Sequence, residues 1–213
     1  MSDRTVPYPF LKRLADKGIS AVLIVLLSPV FAAVLVAMVL EMLLFRRDRG
    51  SVLYGEPRIS RGREFDLLKL RTLRRDALDE MRRTGGHARL YEADSANLTW
   101  AGRRVLKPWY LDELPQLWNV LRGDMSLVGP RPWPASMVAR QAAEGNDYRN
   151  LILAGWTGPA QVRKGVPGVR FADLDLAYVE ACRTWTGGRL ARYDLSVLWD
   201  TVRLMARGEG LQF

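Results

Sequence analysis

The sequence predicts an α+β fold, predominantly helical, with an apolar membrane segment near the N-terminus and a small β-hairpin behind it. Three observations lead there. From Ile19 to Phe45 the chain is apolar except for Ser20, Ser28 and Glu41, which exceeds the roughly 20 residues a membrane helix needs. Ser51–Tyr54 and Glu64–Arg71 (EFDLLKLR) read as short extended segments around a turn at Ser60-Arg61-Gly62-Arg63. Much of the remainder repeats apolar residues at helical spacing.

The apolar segment carries Ser28-Pro29 near its middle, with Lys12, Arg13 and Lys17 before it and Arg46, Arg47 and Arg49 after it. Proline removes a backbone donor and crowds the preceding turn, so a kink belongs there. The Ser28 hydroxyl can satisfy a carbonyl freed by the break. Lysine and arginine favour the cytoplasmic side. Two basic flanks satisfy that preference together only if the segment enters and returns on one face. Physical reasoning alone leaves a kinked spanning helix and a re-entrant one both open.

Further along, Arg74–Arg83 reads as a charged helix ending near Gly85-Gly86, while His87–Asn97 is a loop or a short helix. Asp112–Leu121 reads as an amphipathic helix with Leu114, Leu117, Trp118 and Leu121 on one face, Pro115 in its first turn and Asp112 as N-cap. Gly129-Pro130-Arg131-Pro132 must be a stiff turn. Ser136–Glu144, Leu174–Arg183 and Tyr193–Arg207 read as helices, the last with Leu195, Leu198, Trp199, Val202 and Met205 on one face. Of the seven tryptophans, Trp109 and Trp185 are the best candidates for a membrane interface.

With 213 residues, 48% of them apolar, the chain can build a real core. Its 32 basic and 23 acidic residues give a net charge of +9, a surface that seeks anions such as nucleic acid, acidic headgroups or phosphorylated substrates. No basic helix or aromatic-rich strand surface of the nucleic-acid-binding kind stands out, so nucleic acid is not an expected partner. The one cysteine, Cys182, allows no internal disulfide, and it has no metal-ligand spacing to the one histidine, His87. A zinc site and a Cys/His nucleophile pair are therefore poorly supported.

Asp112-Glu113 is the sharpest chemical feature. Arg103, Arg104 and Lys107 precede the pair, and Arg122 and Arg131 follow it. Carboxylates among cations suit a metal-assisted reaction at a phosphate. Magnesium is the natural metal, because it takes one or two carboxylates plus substrate phosphates. Lys69 and Arg71 alternate with Leu68 and Leu70, which puts a basic pair on one strand face where it could grip a diphosphate.

These residues carry a resemblance. Asp112–Pro132 (DELPQLWNVLRGDMSLVGPRP) closely resembles the core signature of bacterial sugar transferases, the monotopic phosphoglycosyl transferases. Leu68–Leu73 (LKLRTL) and Gly155–Val162 (GWTGPAQV) resemble two further segments of theirs, and the basic-flanked apolar run with its Ser-Pro resembles their re-entrant helix. The resemblance runs from about Leu11 to Gly210.

The resemblance implies a re-entrant membrane helix hairpin, amphipathic interfacial helices and a small β-hairpin. It divides the chain into an N-terminal segment over 1–17, a membrane helix over 18–45 broken at Ser28-Pro29, and a cytosolic catalytic domain over 46–213. The implied reaction moves a sugar phosphate from a UDP-sugar to polyprenyl (undecaprenyl) phosphate at the cytoplasmic face of the bacterial inner membrane. Asp112 would be the nucleophile, Glu113 with Asp112 would hold Mg²⁺, and Arg131, Lys69 and Arg71 would bind phosphate. The family commonly continues with Gly-Arg-Asn where this chain has Arg163-Lys164-Gly165. The arginine position holds Gly165, so Arg163 or Lys164 would supply the charge, or nucleotide recognition differs. A membrane-anchored, Mg²⁺-dependent lipid-phosphate phosphohydrolase is the alternative, and oligomeric state, a homodimer included, stays open.

Overall fold

The structure is a computed structural model and describes residues 5–84, 88–163 and 166–206. Helix α1 runs over Phe10–Leu44. It begins ahead of the apolar run, and it passes through Pro29 without interruption, where the sequence led us to expect a break. Ser28 Oγ donates to the Val25 carbonyl at 2.8 Å, and that carbonyl is the one proline leaves without its i+4 donor. The hydroxyl thus stands in for the missing N–H, as the Ser-Pro pair led us to expect. α1 is the one helix among the described residues long and apolar enough to cross a membrane, and only 11% of its most apolar window is buried. That excludes the core helix of a soluble domain as its explanation.

Strands β1 (Leu53–Ser60) and β2 (Arg63–Leu70) form the expected hairpin, with β1 longer than the sequence indicated. Arg61 and Gly62 both have positive φ, 50° and 73°, the backbone a two-residue hairpin turn requires. Helix α2 (Arg75–Thr84) and the short α3 (Ala88–Glu92) follow; the expected helix stop at Gly85-Gly86 lies outside the described residues. A five-residue π turn over Gly102–Leu106 comes next.

The predicted helix over Asp112–Leu121 is two pieces. A 3₁₀ turn covers Leu111–Glu113, and α4 covers Gln116–Arg122. Pro115 explains the split: it lacks the N–H that would bond back to Leu111, and its ring crowds the turn before it. Asp112 therefore sits inside a tight turn and is not a helix N-cap. The buried face of α4 also differs. Trp118 is 55% exposed, while Asn119 is fully buried and donates to the Asp66 carbonyl and Asp124 Oδ2 at 2.9 and 3.0 Å.

Strand β3 (Ser126–Val128) pairs in parallel with β4 (Gly155–Thr157), in register Ser126 to Gly155. Helix α5 (Ala135–Ala143) lies between them in sequence, and α6 (Pro159–Val162), α7 (Phe171–Thr184) and α8 (Gly187–Ala206) complete the described residues. The apolar face anticipated on the last helix points outward: Leu195, Trp199 and Val202 are more than half exposed. Trp109 is exposed as well, whereas Trp185 is half-buried, edge-on to Tyr193 with Arg189 over its ring.

The chain divides into two compact units. One comprises Met1–Ile24, Glu56–Leu67 and Gln116–Phe213. A buried polar cluster ties the start of α1 into it: Lys12 Nζ donates to Asp194 Oδ2 at 2.6 Å and to the Val128 carbonyl at 3.2 Å, and Ser126 Oγ donates to Asp16 Oδ2 at 2.6 Å. The other comprises Val25–Gly55 and Leu68–Pro115. It holds two apolar clusters, one of Leu73, Leu78, Met81 and Leu98 with neighbours, the other of Val34, Met38, Leu70, Ala101 and Leu106. Glu41 of α1 reaches into this unit and accepts from the backbone N–H of Trp100 and Ala101, which accounts for an acid in an apolar run.

Candidate functional site

The unit Val25–Gly55 and Leu68–Pro115 contains Asp112 and Glu113, both buried. Three local devices position them. Gly102 opens the π turn, where a Cβ would collide with the Thr72 carbonyl and would lie 2.9 Å from Thr99 Oγ1; only glycine permits that approach. Tyr110, a non-glycine residue, is left-handed at φ 54°. Such backbone is uncommon and clusters at functional sites. Its effect is to double the chain back between Lys107 and Asp112. Pro115 then ends the 3₁₀ turn, as described above.

The doubling back sets Lys107 Nζ 3.6 Å from Asp112 Oδ2 and 2.6 Å from Glu92 Oε2. Glu92 is held in turn by Thr72 Oγ1, which donates to its Oε1 at 2.7 Å. Burial pushes the Asp112 carboxyl up to about 6; Lys107 opposes the rise, Glu113 adds to it, and Lys69 opposes it again. For Lys107, burial works against the charge, but Asp112 and Glu92 outweigh it, and the ammonium is held above its ordinary range. The result is a carboxylate kept out of water, reactive when ionised, with a cation beside it.

The structure therefore brings Asp112, Glu113 and Lys69 together. Arg71 is different. It follows β2, is almost fully buried, and donates to the carbonyls of Ser51 at 2.7 Å, Leu73 at 2.8 Å and Asp48. These bonds tie the stretch 48–51 and the chain just after β2 to the end of the strand that bears Lys69. Arg131 and Arg163 belong to the other unit, Arg131 half-buried in its Pro-bracketed turn and Arg163 exposed at the end of α6. Lys164 lies outside the described residues. Cys182 is buried, and burial pushes its thiol up to about 11, the behaviour of an inert structural cysteine.

Sequence reasoning missed the Lys107–Glu92 pair. Lys107 stands in the sequence as one of several cations ahead of Asp112, but nothing in the stretch around Glu92 marks that residue.

Among the described residues no three His, Cys, Asp or Glu side chains converge on one point. Glu92 has both oxygens engaged, by Thr72 and Lys107; Asp112 and Glu113 are the two carboxylates adjacent in the 3₁₀ turn. Two hard carboxylate donors fit an ion whose remaining positions come from substrate phosphate and water, the usual habit of magnesium.

Comparison with known proteins gives a consistent picture. The bacterial sugar transferase family matches residues 7–208. The chain is 34% identical to a UDP-galactose-lipid carrier transferase of Erwinia amylovora, covering 94% of this chain and 41% of that protein. It is 32% identical to an undecaprenyl-phosphate galactose phosphotransferase of Salmonella typhimurium, with 94% and 41% covered. With a UDP-glucose:undecaprenyl-phosphate glucose-1-phosphate transferase of Caulobacter vibrioides it shares 35% identity over 90% of this chain and 68% of that one. The chain thus spans about two fifths of the length of the first two relatives.

Proposed function

Because this chain belongs to the bacterial sugar transferase family, we propose that it is a phosphoglycosyl transferase that moves a sugar-1-phosphate from a UDP-sugar to undecaprenyl phosphate. The observation that carries the reading is the buried Asp112 carboxylate with Lys107 and Lys69 as its cations.

In the first step an Asp112 oxygen attacks the β-phosphorus of the UDP-sugar. The bond from that phosphorus to the bridging oxygen breaks, UMP departs with the electron pair, and a sugar phosphate remains on Asp112. In the second step a phosphate oxygen of undecaprenyl phosphate attacks the same phosphorus, releasing Asp112 and forming the diphosphate-linked sugar. Splitting one displacement in two is the general use of covalent catalysis. Lys69 offsets the phosphate charge, and Arg131 binds phosphate through its planar fork. Arg163 or Lys164 supplies the charge of the missing Gly-Arg-Asn. Glu113 with Asp112 would hold Mg²⁺, which screens phosphate charge when bound. In this reading Arg71 supports the site by holding the strand that carries Lys69.

The proposed setting is the cytoplasmic face of the bacterial inner membrane, with α1 inserted re-entrantly. Both ends of α1 make buried polar contacts with chain that follows it, Lys12 with Asp194 and Glu41 with the Trp100 and Ala101 amides. A helix crossing the bilayer would carry one end away from those partners. The outward apolar residues of α8 suit the interface.

UMP release tests the function. Wild type with undecaprenyl phosphate and a panel of UDP-glucose, UDP-galactose and UDP-N-acetylgalactosamine should release UMP with at least one donor. Asp112→Asn should release none and trap no labelled sugar phosphate. Inorganic phosphate released from undecaprenyl phosphate without a UDP-sugar would overturn the reading in favour of a phosphohydrolase.

A further inference from the structure

Arg149 sits in the short 3₁₀ turn Tyr148–Asn150, far in sequence from Asp112, and its side chain is only 6% exposed. It is bound on every side. Nη1 donates to Gln141 Oε1 at 2.8 Å and to the Tyr148 hydroxyl, and Nη2 donates to Asp175 Oδ2 at 3.0 Å. The guanidinium carbon lies 3.7 Å from the centre of the Trp133 ring and 4.7 Å from that of Tyr148. The remaining nitrogen, Nε, donates to the backbone carbonyl of Arg131 at 3.4 Å.

Two of these contacts fall on one short segment, Gly129 to Trp133. The segment is already fixed at both ends. Gly129 N–H donates to the Thr157 carbonyl at 2.9 Å, and the Trp133 carbonyl accepts from Ile59 N–H at 2.9 Å. Pro130 accepts from Gly155 N–H at 2.8 Å. Between those anchors lies Arg131. Pro132 excludes the helical region for it, which leaves a broad extended basin. Within that basin the direction of the Arg131 side chain depends on where its own carbonyl points, and Arg149 holds that carbonyl while its flat face clamps the ring two residues on.

Burying a guanidinium is costly unless every donor is used, and an apolar residue of like volume would fill the same space more cheaply. The arrangement is therefore better explained by what it orients than by stability alone. We infer that Arg149 is a positioning residue for Arg131, fixing the direction from which Arg131 meets the phosphate of the nucleotide sugar. The inference rests on the phosphate role proposed for Arg131. A lysine cannot do this work: it keeps the positive charge opposite Asp175 but has no second, directional nitrogen for the Arg131 carbonyl and no plane to stack on Trp133.

The test uses the full chain in lipid nanodiscs, UMP release with the UDP-sugar that wild type accepts, and thermal denaturation as a fold check. R149K should raise KM for the UDP-sugar by about tenfold or more, the scale on which a displaced binding group costs turnover, with a smaller change in kcat. R131A should raise the same KM, and R131A/R149K should be no worse than R131A alone, because Arg149 acts only through Arg131. A role confined to stability would lower the melting temperature and leave KM in place. If R149K does not fold, W133L, which removes the stacked ring and keeps the Asp175 ion pair, carries the same expectation. R131A with unchanged kinetics would overturn the phosphate role of Arg131 and this inference with it. A costly R131A beside an R149K of unchanged KM, or losses that multiply in the double variant, would overturn the inference alone.

Discussion

Asp112 is a carboxyl group that burial has made harder to ionise, and its neighbours decide how much harder. Its folded-state value, near 6, lies above the ordinary 3.8. A nucleophile must be ionised, so kcat/KM for the UDP-sugar should climb with rising pH on an acidic limb that lies near 6 at limiting Mg²⁺ and moves lower as Mg²⁺ held by Asp112 and Glu113 saturates. A profile flat between pH 5 and 8 at limiting Mg²⁺ would contradict this. The same shift has a stability side. A carboxyl whose folded value is raised contributes stability that is full below the unfolded value and is lost as pH rises toward the folded one. Asp112→Asn removes the charge, so its melting temperature should equal or exceed that of wild type above pH 6, with the advantage gone near pH 4. Lys107→Met should push the acidic limb of the rate profile upward, because the first cation opposing the shift is removed. It should also destabilise the chain by about 2–3 kcal/mol, below the range for a fully buried pair because Lys107 is partly exposed. An unmoved limb in Lys107→Met would mean that Lys107 does not tune Asp112.

The elements that carry the site are short and irregular: a π turn, a left-handed Tyr110 and a 3₁₀ turn in succession. Gly102 is the position where they meet the chain just after β2, at Thr72. Gly102→Ala would place a methyl group 3.0 Å from Thr72 Cα and closer still to its carbonyl. Overpacking of this kind costs about 1–3 kcal/mol, and here the displacement moves Lys107. Chemical denaturation should register the loss, and activity should fall further than stability alone explains; full activity in the variant would show that the approach to Thr72 does not position the site. The regular elements were legible in the sequence, because hydrophobic period, Arg-Gly turn chemistry and the Ser-Pro pair each act locally. The hairpin turn, α2 and α7 lie close to where those signals put them, whereas α1 starts ahead of the apolar run and continues through Pro29, β1 extends past Tyr54, and α8 begins at Gly187, ahead of Tyr193. What escaped was set by tertiary contact. Trp118, which its spacing puts on the apolar face, is exposed, while Asn119 is buried because two acceptors, the Asp66 carbonyl and the Asp124 carboxylate, satisfy its amide. A proline is tolerated in the first turn of a helix, yet Pro115 separates the 3₁₀ turn from α4. Of the site, Asp112, Glu113 and Lys69 stood out by type and spacing, whereas Glu92 is brought in by the fold alone.

At the scale of the whole molecule, α1, like β1 and β2, is divided between the two compact units, Phe10–Ile24 belonging to one and Val25–Leu44 to the other. At roughly 1.5 Å per residue it is long enough to cross the ~30 Å hydrocarbon layer and emerge, so length permits a spanning orientation. The polar contacts at its ends argue against one. Lys12 is buried against Asp194 and the Val128 carbonyl, and Glu41 against the Trp100 and Ala101 amides. All of these partners come after α1, and a spanning helix would leave Lys12 across the bilayer from Asp194, separating a buried cation from that carboxylate at a cost of several kcal/mol. The basic residues on both flanks favour the same side for electrostatic reasons. Single cysteines in a Cys182→Ala background decide the matter. Arg13 and Arg47 are exposed, one near each end of α1, and with a membrane-impermeant thiol reagent both Arg13→Cys and Arg47→Cys should be protected in intact cells and label only when the cytoplasmic face is opened. Labelling of Arg13→Cys in intact cells would establish a spanning helix, and the Lys12–Asp194 contact could not then hold in the membrane. Lys12→Met gives an independent check, since loss of that contact should release the N-terminal end of α1 and expose Arg13→Cys to proteolysis or labelling from a face that wild type protects.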